Sequence, residues 1–222
     1  MVVQDRTGDA SWYYWCMEQR AGRENQKLRT RNAIVAAARD LVMQGRLPSV
    51  ADVAEAALVS PATAYRYFPD QLSLLRAALE DAPPLGAGIA TPLHDETTDP
   101  VERVARATEA FLRLVLQQEA LVRAVMALSL LRSVEAPMIS EEAGALRPGY
   151  RLAWIAEALA PAESTVDAEA LRRLTNALAV VISSEALIAL QDVRGLDADT
   201  AVEVCVWTAR TLVRAVVDDR PH

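Results

Sequence analysis

The stretch Ser49-Val-Ala-Asp-Val-Ala-Glu-Ala-Ala-Leu-Val-Ser60, running straight into Pro61-Ala-Thr-Ala-Tyr-Arg-Tyr-Phe68, decides the fold. Ser49 with Asp52 three residues on resembles a capping box, Asp standing in for the usual Glu or Gln, so a helix starts there. Val50, Val53, Ala54 and Ala57 recur at helical spacing and form its inward face. Ser60 caps the next helix. Pro61 fills its first turn, where the missing N–H costs nothing. Pro69-Asp70 ends that helix and starts another, running to about Glu80. Upstream, Ala33-Ile-Val-Ala-Ala-Ala-Arg-Asp-Leu41 belongs to a helix from about Gln26 to Gln44. Its one face is Ile34, Ala37, Ala38 and Leu41, and Gly45 is its C-cap. The order is one helix, then helix–turn–helix.

Outward from this core, residues 1–30 show no sustained period, and 1–25 read as a mobile N-terminal arm. Four consecutive aromatics, Trp12-Tyr13-Tyr14-Trp15, sit in that arm. Either they pack on the body or they precede a native start at Met17. On the other side, Pro83, Pro84, Gly86, Gly88 and Pro92 break the chain between Asp81 and Thr98. Long amphipathic helices follow: Asp99-Pro100 to about Gln118, Glu119 to Arg132, Tyr150 to Leu159, Asp167 to Asp192, and Asp197 to Val217. No Val/Ile/Thr-rich alternation marks a strand. The fold class is therefore all-α, with one small helical module over 26–81 and a larger helical domain over 99–219.

Bulk properties narrow the function classes. The apolar content is 52% with a mean hydropathy of +0.09. No apolar run approaches the ~20 residues that span a bilayer, and no secretory signal is evident, so a cytoplasmic location without membrane association is expected. Cys16 and Cys205 stand far apart, with no CxxC, which argues against a disulfide framework or a zinc site. The net charge of −7 conceals an asymmetry. Between Arg20 and Arg46 lie seven basic residues (Arg20, Arg23, Lys27, Arg29, Arg31, Arg39, Arg46) against Glu24 and Asp40, a segment of +5 that leaves −12 for the rest. A phosphate-facing module on an acidic body has that profile, and so does an Arg-rich solvated helix start. Lys27 is the single lysine among 23 basic residues, which together with the abundant alanine reads as the codon bias of a GC-rich, bacterial genome. An enzyme is disfavoured. The histidines are His94 in the linker and His222 at the end, and there is no Gly-rich phosphate loop, HExxH or nucleophile elbow. No catalytic residue, metal ligand or cofactor is assigned.

The pattern from Ala33 to Leu74, with its caps, its spacing and Tyr65-Arg-Tyr-Phe68, resembles the DNA-binding domain of the TetR/AcrR family of transcriptional regulators. That resemblance implies an N-terminal three-helix helix-turn-helix DNA-binding domain and a C-terminal helical ligand-binding and dimerisation domain. It puts Pro61, Ala62, Tyr65 and Arg66 toward base edges of double-stranded DNA, with Arg66 suited to guanine O6 and N7. Thr63, Tyr67 and Ser49 would contact phosphates, and Arg29 and Arg31 would add electrostatic grip. The chain departs from the family at three places. Leu58 stands where the turn usually has Gly, Ala64 replaces a core Leu, and Gln71 replaces a Lys.

The resemblance also implies a homodimer formed through the two C-terminal helices. Their stripes are Leu171, Leu174, Leu178, Ile182 and Ala189, then Val202, Cys205, Val206, Ala209, Leu212, Val213 and Val216. A monomeric core would give the same stripes. A two-fold dimer would read a palindromic operator, and most such regulators are repressors that respond to a small-molecule effector held in the central helices. Candidate effector-lining residues are Phe111, Leu114, Met126, Leu130, Trp154, Asn176 and Glu185. Glu185, placed on the Leu171–Ile182 stripe, either receives a cationic ligand or pairs with an Arg such as Arg113 or Arg173. Asn176 and Ser183 fit a solvent face equally well. The competing reading is a helical interaction or ligand-binding protein whose DNA module has degenerated.

Overall fold

In the computed structural model the described residues are 8–82, 97–135 and 150–218. They form ten α-helices and no strand: α1 (Gly8–Met43), α2 (Val50–Ala56), α3 (Pro61–Tyr67), α4 (Gln71–Glu80), α5 (Pro100–Gln117), α6 (Glu119–Glu135), α7 (Tyr150–Leu159), α8 (Ala168–Val181), α9 (Ser184–Asp192) and α10 (Ala198–Val217). Two compact units divide the chain, one up to Ala78 and one from Leu79.

The first unit is built on hydrogen-bonded helix ends. Helix α1 closes in a Schellman motif: the Gly45 N–H donates to the Val42 carbonyl (2.9 Å) and the Arg46 N–H to that of Leu41 (3.1 Å), with Gly45 at φ +78°. Helix α2 closes the same way, the Leu58 N–H reaching Glu55 (3.1 Å) and the Val59 N–H reaching Ala54 (3.0 Å). Here the left-handed position is held by a leucine, Leu58, at φ +54°. The turn has kept its geometry and forced a β-carbon into it.

Caps do the same work at the other ends. The Ser49 hydroxyl accepts from the Asp52 N–H (3.2 Å) while the Ser49 N–H donates to the Asp52 carboxylate (2.8 Å), a complete capping box. The Ser60 hydroxyl accepts from the Thr63 N–H (3.2 Å), and Pro61 occupies the first turn of α3. Inside, Ile34, Ala37, Ala38 and Leu41 of α1, Val50, Val53 and Ala54 of α2, and Ala64 and Phe68 are buried, and α2 packs on both α1 and α3.

Two expectations on helix bounds need correction. Helix α1 starts at Gly8, not near Gln26, so the aromatic run Trp12–Trp15 lies within a helix. Once a helix is nucleated, each further residue adds a hydrogen bond, and Glu18, Gln19, Arg20 and Ala21 are strong helix formers that need no apolar period to continue it. Residues 1–7 lie outside the described set. The single helix expected over Asp167–Asp192 is two helices, with axes bent by 45°. Ile182 leaves helical geometry and Ser183 caps α9, accepting from the Ala186 N–H (3.0 Å) and donating to the Val180 carbonyl (2.8 Å). A serine that offers its own hydroxyl to the backbone competes with the helix ladder, and here it wins. Ser183 is consequently buried rather than on a solvent face.

In the second unit α5 lies against α7 and α10, and α8 packs on α7 and α10. One core cluster joins Val104 and Ala107 to Trp154, Ile155, Leu174, Leu178, Ala209 and Val213. A second joins Leu112 and Val115 to Leu187, Ala201, Val202 and Cys205. Arg103 closes the C-terminal end of α7, its guanidinium donating to the Glu157 (2.9 Å) and Ala158 (3.3 Å) carbonyls. A cation there satisfies orphan acceptors and meets the negative end of the helix dipole. No single described helix is long and apolar enough to cross a membrane.

The Leu58 turn makes a stability prediction. Leu58 is 93% exposed, so its side chain buries little to offset the left-handed backbone. Leu58→Gly therefore raises stability by about 1 kcal/mol, read as a higher denaturant midpoint at unchanged slope; a lower midpoint would show that the leucine side chain contributes more than its backbone costs. The capping box makes a second. Hydrogen bonds from the Ser49 side chain and backbone hold the Asp52 carboxyl below its ordinary value. A lowered folded-state pKa stabilises at pH above the usual ~3.9 of Asp, and that contribution is lost as pH falls through the lowered value. Asp52→Asn should thus give a shallower decline in stability across that acid window, followed by circular dichroism; an unchanged acid limb would refute it.

Candidate nucleic-acid interface

Helix α3 is short and amphipathic. Its buried side is Ala64, and Phe68 follows it into the core at the C-cap. Pro61, Ala62, Tyr65 and Arg66 all stand exposed, Tyr65 with 49% of its surface accessible. These are the residues expected at base edges, and they share one solvent-facing surface. The Arg66 guanidinium lies 5.7 Å from the centroid of the Tyr67 ring. That contact steadies the side chain and leaves its fork available for planar, bidentate hydrogen bonding.

The residues expected at phosphates have mixed surroundings. Ser49 is exposed, with its hydroxyl and N–H both engaged by Asp52. Thr63 and Tyr67 are half-buried, and the Thr63 hydroxyl is 2.8 Å from that of Ser60. Arg29 is exposed, whereas Arg31 is half-buried with its guanidinium 5.9 Å from the Phe68 ring centroid. At helical spacing the two arginines project from opposite sides of α1.

Of the three departures from the family pattern, two have structural explanations. Ala64 is fully buried and fills a small space under α3. The Gln71 amide donates to the Pro48 carbonyl (2.8 Å), tying the start of α4 to the loop before α2. That position braces the module and carries no cation. Leu58 has no compensating contact that would explain it.

The candidate effector residues do not form one group. Phe111 meets Trp154 edge-to-face, with ring centroids 5.9 Å apart at 77°, and Leu114 packs on the same cluster. Trp154 is 3% exposed, and its indole N–H has no hydrogen-bond partner among the described residues. Met126 is half-buried on α6, while Leu130 and Asn176 are exposed. Glu185 does not continue the α8 stripe, because the chain breaks at Ile182–Ser183. It lies in the first turn of α9 and accepts from the Ser184 hydroxyl (3.1 Å). Arg113, one of its expected partners, is engaged by Asp199 and by Glu109.

A cleft of about 390 Å³ lies between α8, α9 and α10, lined by Val180, Val181, Ala186, Leu190, Val204 and Thr208 among others. Sequence reasoning missed it, because it reads α8 and α9 as one helix and the cleft is lined from both of them and from α10. Cys205 also lines it, and burial pushes the Cys205 thiol pKa up.

No family model matches the chain, and no curated protein matches it in sequence. Among solved structures, it is similar to the crystal structure of a TetR transcriptional regulator from Rhodococcus sp. RHA1, at 19% identity and a TM-score of 0.50. The match covers 88% of this chain and 99% of that one. The chain has the fold of a TetR transcriptional regulator.

Proposed function

We propose that the protein is a sequence-specific DNA-binding transcriptional regulator that acts as a homodimer on a palindromic operator and represses until an effector binds. One observation carries this reading: the exposed face of α3 presents Pro61, Ala62, Tyr65 and Arg66 together, while Ala64 and Phe68 anchor its other side. A rigidly held helix with an arginine and a tyrosine on its open face is what major-groove readout requires. On this reading residues up to about 81 form the DNA-binding domain and 99–219 the effector and dimer domain. The chain binds and releases, and catalyses nothing.

Dimerisation is supported by the outer surface of the C-terminal helices. Val180 is 71% and Val193 81% exposed, both at the cleft between α8, α9 and α10, and Trp207 of α10 is largely exposed as well. Exposed valines rimming an apolar cleft are poorly placed in a monomer and well placed in a self-complementary interface. One α3 in one groove reads few base pairs, so a second copy is also what specificity demands. An effector site is supported by the buried Trp154 indole N–H beside Phe111. A buried donor without a partner costs free energy, which an acceptor on a ligand would recover.

Selection of binding sites from random duplex DNA by the purified protein tests the reading. A palindrome is expected, and Arg66→Ala should lose ~1–3 kcal/mol on it and relax preference at one base position of each half-site. Recovery of no sequence by a folded protein would instead favour the degenerate interaction module. In the same preparation Val180→Glu with Val193→Glu should leave the fold intact and yield monomers by analytical ultracentrifugation. Persistence of the dimer would place its interface elsewhere.

A further inference from the structure

Helix α1 outruns the module it belongs to. Its buried face ends at Ile34, and every described residue from Gly22 to Arg29 is exposed, Leu28 included. A helix exposed on all sides is not held by packing. Its charge, however, is not spread evenly. Arg23, Lys27 and Arg31 follow one another at four-residue intervals, and Ile34, Ala38 and Leu41 continue the same line at helical spacing. The basic stripe is the outward continuation of the face that α1 buries inside the module. At the join, Arg31 sits against Phe68, the C-cap of α3. The stripe therefore lies on the side of α1 where the candidate groove helix ends.

Among the described residues Arg23 and Lys27 have no acidic partner, and Glu24 is the one acidic residue from Gly22 to Arg29. From Arg23 to Arg31 the helix rises about 12 Å. That length lets the basic side chains reach separate phosphates of one strand, whose charges advance ~3.4 Å along the duplex axis per nucleotide. The stripe carries no apolar residue, so it offers nothing to a hydrophobic groove or a bilayer interior. Its complement is a row of anions. We infer that the N-terminal overhang of α1 is a second nucleic-acid contact, in which Arg23 and Lys27 hold backbone phosphates beside the half-site read by α3. This rests on the DNA-binding reading above and adds to it: the site bound is longer than the bases that α3 reaches, and the added length is sequence-independent.

The test is the salt dependence of binding by wild type and by Arg23→Ala/Lys27→Ala, on the selected operator or, if selection recovers none, on mixed-sequence duplex. Both residues are exposed, and alanine favours helix, so the variant should keep its circular dichroism. Arg23→Gln/Lys27→Gln, which keeps the side chains long and removes the charge, must behave alike. The expected result is weaker binding by the same factor on matched and mismatched sequences. The slope of log affinity against log salt should be shallower by about 2, and hydroxyl-radical protection should retract toward the half-site. Wild-type slope and footprint in both variants would overturn the inference while leaving the regulator reading intact. A wild type without sequence preference, whose slope still falls in the variants, would overturn the reading and keep the contact. A wild type that binds no duplex overturns both.

Discussion

Helices α2 and α3 are seven residues each, well short of the dozen or so at which an isolated helix becomes marginally stable in water. Neither would persist alone, so the presentation of α3 depends on how their ends are closed. The decisive contact is the turn between them. The Val59 N–H reaches back to Ala54, Leu58 takes the left-handed position, and Ser60 at once caps the next helix. Three consecutive residues thereby set the angle between a scaffold helix and a candidate groove helix. Burial of Ala64 and Phe68 then holds α3 down, and Gln71 braces the loop before α2 from the far side. The leucine at the turn works against this arrangement, and the surrounding hydrogen bonds impose the geometry regardless.

The second unit solves a different problem. Its helices are long enough to carry amphipathic stripes, so packing rather than capping governs them. Helix α5 supplies residues to both core clusters, and α10 lies along it. Ion pairs such as Arg123 with Asp192 and Arg210 with Glu102 are partly exposed and contribute little individually, though they fix register between elements. Arg103 matters more, since it satisfies carbonyls that the end of α7 would otherwise leave open. The bend at Ile182–Ser183 does most to shape this unit's surface. It opens the apolar cleft between α8, α9 and α10 and carries Glu185 off the α8 stripe.

Much of the first unit was legible because its signals are local. Ser49 with Asp52, Ser60 with Pro61, and Gly45 each concern hydrogen bonds made within a few residues, and each formed as its residue types dictate. The start of α10 at Asp197, whose carboxylate accepts from the Thr200 N–H, was legible for the same reason. The helix start at Gly8 was missed, because residues 1–30 carry no sustained apolar period to reveal it. The break at Ser183 was missed because apolar periodicity continued across it, and a mid-helix serine shows its hydrogen bond only once the backbone is built. The effector candidates scattered because an apolar stripe does not say what it faces: Phe111 and Trp154 met, while Leu130 and Asn176 turned to solvent.

By itself the sequence determined an all-helical chain, the caps that start and stop its short helices, and the identity of the side chains on the open face of α3. All of these follow from hydrogen bonds and periodicities spanning a turn or two. Tertiary structure alone decided three things. Leu58 had to accept a left-handed backbone, Ser183 rather than the apolar stripe determined where α8 ends, and the basic stripe of α1 came to run on the side where α3 ends. In the first two a hydrogen-bond pattern that forms only once the backbone is built outweighs the preference of the single position, and in the third Arg31 meets Phe68 across the fold.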